Sequence, residues 1–163
     1  MTDSELLTKY SQGPELLRRS INGMTEEQLD AKPILGTFST RQVVCHIADF
    51  EPVYADRLKR VIAEDNPIFF GGDPDIFAAR LAYEKRDVDE ELDLIDATRR
   101  QLLRILQTLS ADDFQRTGKH AEDGLLDLRT LLTRITNHIP HHVRFIEQKR
   151  QALSLQERSA NRT

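Results

Sequence analysis

A chain of 163 residues is the size of one domain, able to bury about two-thirds of its unfolded surface. With 39% hydrophobic and 31% charged residues, no apolar run near the ~18 residues of a membrane span, and a net charge of -4 with the signs interleaved, the sequence excludes a transmembrane protein and offers nucleic acid no basic field. The single cysteine, Cys45, excludes a disulfide framework and a Cys-rich zinc module, and the N-terminal run MTDSELLTKY has no signal-like apolar stretch, so a cytoplasmic protein is expected.

Apolar residues recur at spacings of three and four while period-two alternation is nearly absent, so the chain reads as all-α. The first helix, about Ser4 to Asn22, carries Leu6, Leu7, Tyr10, Leu16, Leu17 and Ile21 on a broad stripe, with Gly13-Pro14 predicting a kink or a break. Thr25-Glu26-Glu27-Gln28 is a capping-box pattern that opens a short helical turn ending by Pro33, and residues 34–39 read as a loop. The second long helix starts near Ser39 or Thr40 and runs to about Glu64, with Val43, Ile47, Phe50, Tyr54, Leu58 and Val61 as its core stripe. Residues 67–87 contain Gly71-Gly72, Pro74 and a short helix from Asp75 to Tyr83, a connection long enough to cross a bundle.

The third long helix, about Val88 to Leu109, is acidic at its start (Asp89, Glu90, Glu91) and basic later (Arg99, Arg100, Arg104), which complements the helix dipole. Residues 110–113 read as a capped turn and 118–126 as a loop containing His120 and Gly124. The last long helix spans about Leu128 to Leu155, followed by a polar tail expected to fray from about residue 156. The expected architecture is a single domain over 1–163, a four-helix bundle with a long crossover between the second and third long helices.

The chemistry is concentrated in the histidines at 46, 120, 138, 141 and 142. At about 100° per residue and with Ile135 at zero, His142 falls at about -20° and His138 at about -60°, near the apolar stripe, whereas His141 falls at about -120° on the flank. On the second helix, with Val43 at zero, His46 lies at about -60°, also bordering the core, while Cys45 lies at about 200°, on the opposite side and an unsuitable nucleophile. Two imidazoles one turn apart and a third from a facing helix can offer a divalent ion three nitrogens at about 2.0–2.1 Å and leave a position open for water. The same pattern also fits buried histidines that hydrogen-bond to the backbone in a non-catalytic helical interaction module. No Glu-x-x-His or His-Glu-x-x-His occurs, which excludes the di-iron and zincin patterns. Pro140, between the two candidate ligands, leaves the Thr136 carbonyl without its helical donor and predicts a local kink.

Three segments resemble motifs of the DinB/YfiT family of metal-binding four-helix bundles. These are Phe38-Ser39 followed by His46-Ile47-Ala48-Asp49-Phe50-Glu51, then Arg116-Thr117-Gly118-Lys119-His120, then His138-Ile139-Pro140-His141-His142. The resemblance covers nearly the whole chain. It departs from the family where Phe38 stands for a frequent Trp and where Pro140 stands for a non-proline residue. It implies that His46, His138 and His142 hold a divalent metal, zinc or nickel in first place. It also implies that His120 and Glu51 lie close by as proton-transfer or substrate-contacting groups. The activity implied is that of a metal-dependent enzyme using a low-molecular-weight thiol, a thiol transferase or isomerase. A metal-dependent hydrolase and a metal-binding protein without catalysis are the alternatives. The resemblance further implies a homodimer, to which the outer face of the second helix, with Val44 and Cys45, would contribute, and a small-molecule substrate; neither nucleic acid nor a membrane is an expected partner.

Overall fold

The computed structural model describes residues 1–160. Four long helices dominate it: α1 (Asp3–Ile21), α3 (Thr40–Ala63), α5 (Val88–Leu106) and α6 (Leu128–Ala160), with short helices α2 (Glu26–Asp30) and α4 (Pro74–Arg80) in the connections. Local chemistry sets where they start. Thr2 with Glu5, Thr25 with Gln28 and Ser39 with Gln42 form reciprocal capping boxes at α1, α2 and α3. The Asp87 and Asp127 carboxylates accept from backbone N–H groups in the first turns of α5 and α6. The last helix continues past the expected end near Leu155 to Ala160; positions 161–163 of the expected tail lie outside the described residues.

Two apolar clusters fill the two ends of the bundle. One joins Leu6 and Tyr10 of α1, Leu58 and Val61 of α3, Leu102 and Leu106 of α5, and Leu128 to Ile135 of α6. The other joins Leu17, Val43 to Ala48, Val88 to Ile95, and Ile139 to Ile146. The early part of α1 and of α6 therefore sits beside the late part of α3 and of α5. Helices α1 and α6 run one way and α3 and α5 the other, and the neighbours α3 and α5 are parallel. A parallel pair needs a connection that returns along the bundle, and residues 64–87 provide the predicted crossover.

The crossover has more structure than its sequence suggested. Strand β1 (Ile68–Phe69) pairs in parallel with β2 (Thr117–His120), which pairs antiparallel with β3 (Gly124–Asp127), so the predicted loop at 118–126 is a hairpin in a small sheet. Strands of two and four residues are too short to display a period-two pattern. Gly118 lets the sheet lie close on the bundle, since a Cβ there would sit 2.9 Å from Val61 Cγ2 of α3 and 2.5 Å from Phe69 Cε1 of β1.

Of the kink or break predicted at Gly13-Pro14, the break does not occur: helix α1 continues through both residues to Ile21. Pro14 cannot donate to the Tyr10 carbonyl, but Arg99 Nη1 of α5 does so at 2.9 Å, and Gly13 makes room for it, because a Cβ there would lie 2.0 Å from Nη1. The outer face of α3 is not solvent-facing either: Val44 and Cys45 are both 0% exposed beneath the crossover, where the Cys45 thiol donates to the Tyr83 carbonyl at 3.5 Å. Burial pushes this thiol up to about 12, and the face is closed to a partner subunit. Among the described residues no helix is long and apolar enough to cross a membrane.

Candidate metal centre

Helices α3 and α6 are antiparallel neighbours, which brings His46 of the former against His138 and His142 of the latter. His138 Nε2 lies 3.0 Å from His46 Nε2 and 3.1 Å from His142 Nε2, and one ring nitrogen from each of the three falls within 4.8 Å of the others. The rings pack edge to face, His138 against His142 at 89°, so that their nitrogens converge. Phe50 forms an apolar wall with its centroid 4.8 Å from that of His46. Helical phase had selected these three, and it also left His141 outside the cluster, where it is exposed and accepts from Arg144 at 3.1 Å.

Burial holds all three imidazoles in the neutral form. It depresses His46 to about 4, against the pull of Asp49 and Asp75, and His142 to about 3. His138 is depressed to about 2 by burial first and by the facing histidines second. Neutral imidazoles have the lone pairs that a metal requires. The Nδ1 atoms of His46 and His138 are buried without a partner, so no donor to Nδ1 forces the proton onto Nε2. Nitrogens in a tetrahedral site with bonds of about 2.0–2.1 Å lie about 3.3 Å apart, close to the 3.0 and 3.1 Å from His138 to its two neighbours, with all three nitrogens within 4.8 Å. The donor set and its spacing fit a divalent ion.

His46 and His138 face a cavity of about 270 Å³, whose other walls include Tyr54, Arg57, His120 and Arg134. His120, on β2 and 5% exposed, accepts at Nδ1 from the backbone N–H groups of Glu122 (3.3 Å) and Asp123 (3.2 Å). A neutral His120 therefore carries its proton on Nε2, which makes it a donor and removes that nitrogen as a ligand. Glu51 lies elsewhere: it is 1% exposed, does not line the cavity, and accepts from Arg99 Nε at 3.0 Å and Nη2 at 2.5 Å. Burial raises its carboxyl above the ordinary range, against the opposing pull of Arg99.

A model of the DinB superfamily matches residues 9–146. The chain belongs to the DinB superfamily. It is 30% identical over 143 residues to a protein of Oceanobacillus iheyensis named "Putative metal-dependent hydrolase", with 88% of this chain and 83% of that protein covered. A protein of Bacillus mycoides with the same kind of name is 28% identical over 154 residues, covering 92% and 88%. The solved structure of YfiT from Bacillus subtilis, described as a probable metal-dependent hydrolase with an unusual four-helix bundle topology, superposes with a TM-score of 0.87 at 23% identity, covering 93% of this chain and 87% of that one.

Among the cavity walls, Tyr54 belongs to the predicted core stripe, and Arg57 and Arg134 carry no motif in the sequence. The sequence places Arg99 among the basic residues that complement the helix dipole, and the structure buries it to 1% exposure. A signal for it was present: with Leu92, Ile95, Leu102 and Leu106 it repeats at spacings of three and four, a buried phase.

Proposed function

We propose that this DinB-superfamily chain is a metal-dependent hydrolase whose divalent ion, zinc or nickel, is held by His46, His138 and His142. The observation that carries the reading is the convergence of three neutral imidazoles at the edge of a cavity, and the names of the relatives favour water as the nucleophile. When bound, such an ion supplies Lewis acidity, polarising a substrate group and lowering the pKa of water or of a thiol. The chain's own residues then have distinct tasks. His120 Nε2–H donates to developing negative charge on the substrate, because its Nδ1 is occupied by two backbone donors and cannot take up the proton of the opposite tautomer without losing both. Phe50 and Phe38 flank His46 and exclude water from one side. Glu51 acts through Arg99 as a positioning residue, since Arg99 also donates to the carbonyls of Tyr10 on α1 and Ile135 on α6 and so fixes α6 just before His138.

Elemental analysis of protein purified without a metal-affinity tag tests the centre. Near-stoichiometric metal that is lost in a folded His138→Ala variant is expected; no metal in either, even after reconstitution, would overturn it. Ester and amide hydrolysis screens, run beside conjugation of electrophiles by low-molecular-weight thiols, then separate the hydrolase from a thiol transferase built on the same ion. Turnover only with a thiol would replace water as the nucleophile. The family resemblance also supports a homodimer using a surface other than the covered Val44-Cys45 face, and a concentration-independent monomer in sedimentation would remove it.

A further inference from the structure

Three arginines among the described residues are buried: Arg41, Arg57 and Arg99, at 7%, 5% and 1% exposure. A buried guanidinium without a counter-charge is costly, and two of the three have one. Arg41 meets Glu26 and Asp30, and Arg99 meets Glu51. Among the described residues no carboxylate comes within 4.0 Å of Arg57. It donates Nη2 to the Phe70 carbonyl and stacks on the Tyr54 and Phe69 rings at 4.8 and 5.9 Å, while its Nε is buried with no partner.

The surroundings do not neutralise it. Asp123, the carboxylate whose field it feels most, is ion-paired with Arg134 instead, and the Glu122 carboxylate lies over Gly71, within about 3 Å of where a Cβ would be. Arg57 nevertheless lines the same cavity as His46 and His138. A planar fork of donors, held in place by two aromatic rings and left without its anion, is preorganised for a compact oxyanion.

We propose that Arg57 is an anion subsite in the cavity, and that the substrate of the centre carries a carboxylate or phosphate that docks on it. The proposal deepens the hydrolase reading and rests on it for the word substrate, but the subsite itself needs only Arg57 and the cavity. Binding there would hold the molecule by its anionic end while its reacting group faces His46 and His138.

The test titrates sodium acetate and, separately, inorganic phosphate into 15N-labelled protein, both metal-free and zinc-loaded, following the Arg57 Nε–H resonance. A saturable shift is expected in both forms, and the tighter probe identifies whether the group is a carboxylate or a phosphate. Arg57→Gln should weaken that probe about tenfold or more, with Arg57→Lys intermediate, whereas Arg134→Gln should weaken it no more than about twofold. Absence of a saturable shift with either anion, or an Arg57→Gln variant that binds as tightly as the parent, overturns the subsite. The wild-type resonance reads the site even if the variants fold poorly. Zinc retained without anion binding defeats the subsite alone, and anion binding by a protein that retains no metal defeats the metal centre alone.

Discussion

Replacing Gly13 with alanine should destabilise the protein, although alanine in place of a helical glycine ordinarily stabilises by about 1 kcal/mol. The new methyl group would lie 2.0 Å from Arg99 Nη1, 3.0 Å from its Cζ and 3.1 Å from Ile139 Cδ1. The guanidinium must retreat by about 1.5 Å to reach an ordinary contact, yet it is tied to Glu51, to the Tyr10 carbonyl and to the Ile135 carbonyl. Loss of one or two such bonds to a charged donor, at about 1.5–3 kcal/mol each, outweighs the propensity gain, so Gly13→Ala should lose about 2–4 kcal/mol. Urea unfolding measures it as a lower midpoint with an unchanged slope. In an Arg99→Met background the clash is relieved, and the cost of Gly13→Ala should fall to about zero or reverse, a coupling that a double-mutant cycle reads directly. A Gly13→Ala protein as stable as the parent, or an equal cost in both backgrounds, would refute the seat assigned to Arg99.

Glu51→Leu alone should cost about 3–5 kcal/mol by leaving Arg99 buried without its anion, while Glu51→Leu with Arg99→Met should recover most of that loss in the same urea assay. Cys45 should resist alkylation at pH 8.5 in the native protein and react on unfolding. Its folded pKa of about 12 lies above the unfolded value, so its contribution is intact below about pH 9 and is lost as pH rises toward 12; a Cys45→Ala variant should show a shallower alkaline decline of stability. His142→Ala should reduce metal content as His138→Ala does, whereas His141→Ala should leave it unchanged, by elemental analysis. Under a screen that identifies a hydrolysable substrate, His120→Gln should lower kcat by about a hundredfold with little change in metal content, since it removes a donor and not a ligand.

The helices, their starts and the three converging histidines were legible in the sequence for one reason. Each depends on residues within a few turns of one another, where a period of 3.6 sorts inside from outside and a Ser or Thr three residues before Gln or Glu marks a beginning. His46, His138 and His142 all border their own stripes, so phase located them before any packing was known. The length of the 64–87 connection likewise permitted parallel α3 and α5, and the clusters at the two ends of the bundle confirm that direction.

Features that join distant elements were decided only by the tertiary structure. Gly13-Pro14 reads as a kink or a break until Arg99, 85 positions or more further on, supplies the donor that proline lacks and the helix runs on. Cys45 has an outward phase, but a crossover laid over α3 makes that side a second interior. His120 reaches the cavity shared by His46, His138 and Arg57 because a three-stranded sheet too small to leave a pattern in the sequence folds against the bundle. Periodicity reports which face of an element is apolar; which neighbour covers that face, and which charge is left without its counter-ion beneath it, is a property of the packed chain alone.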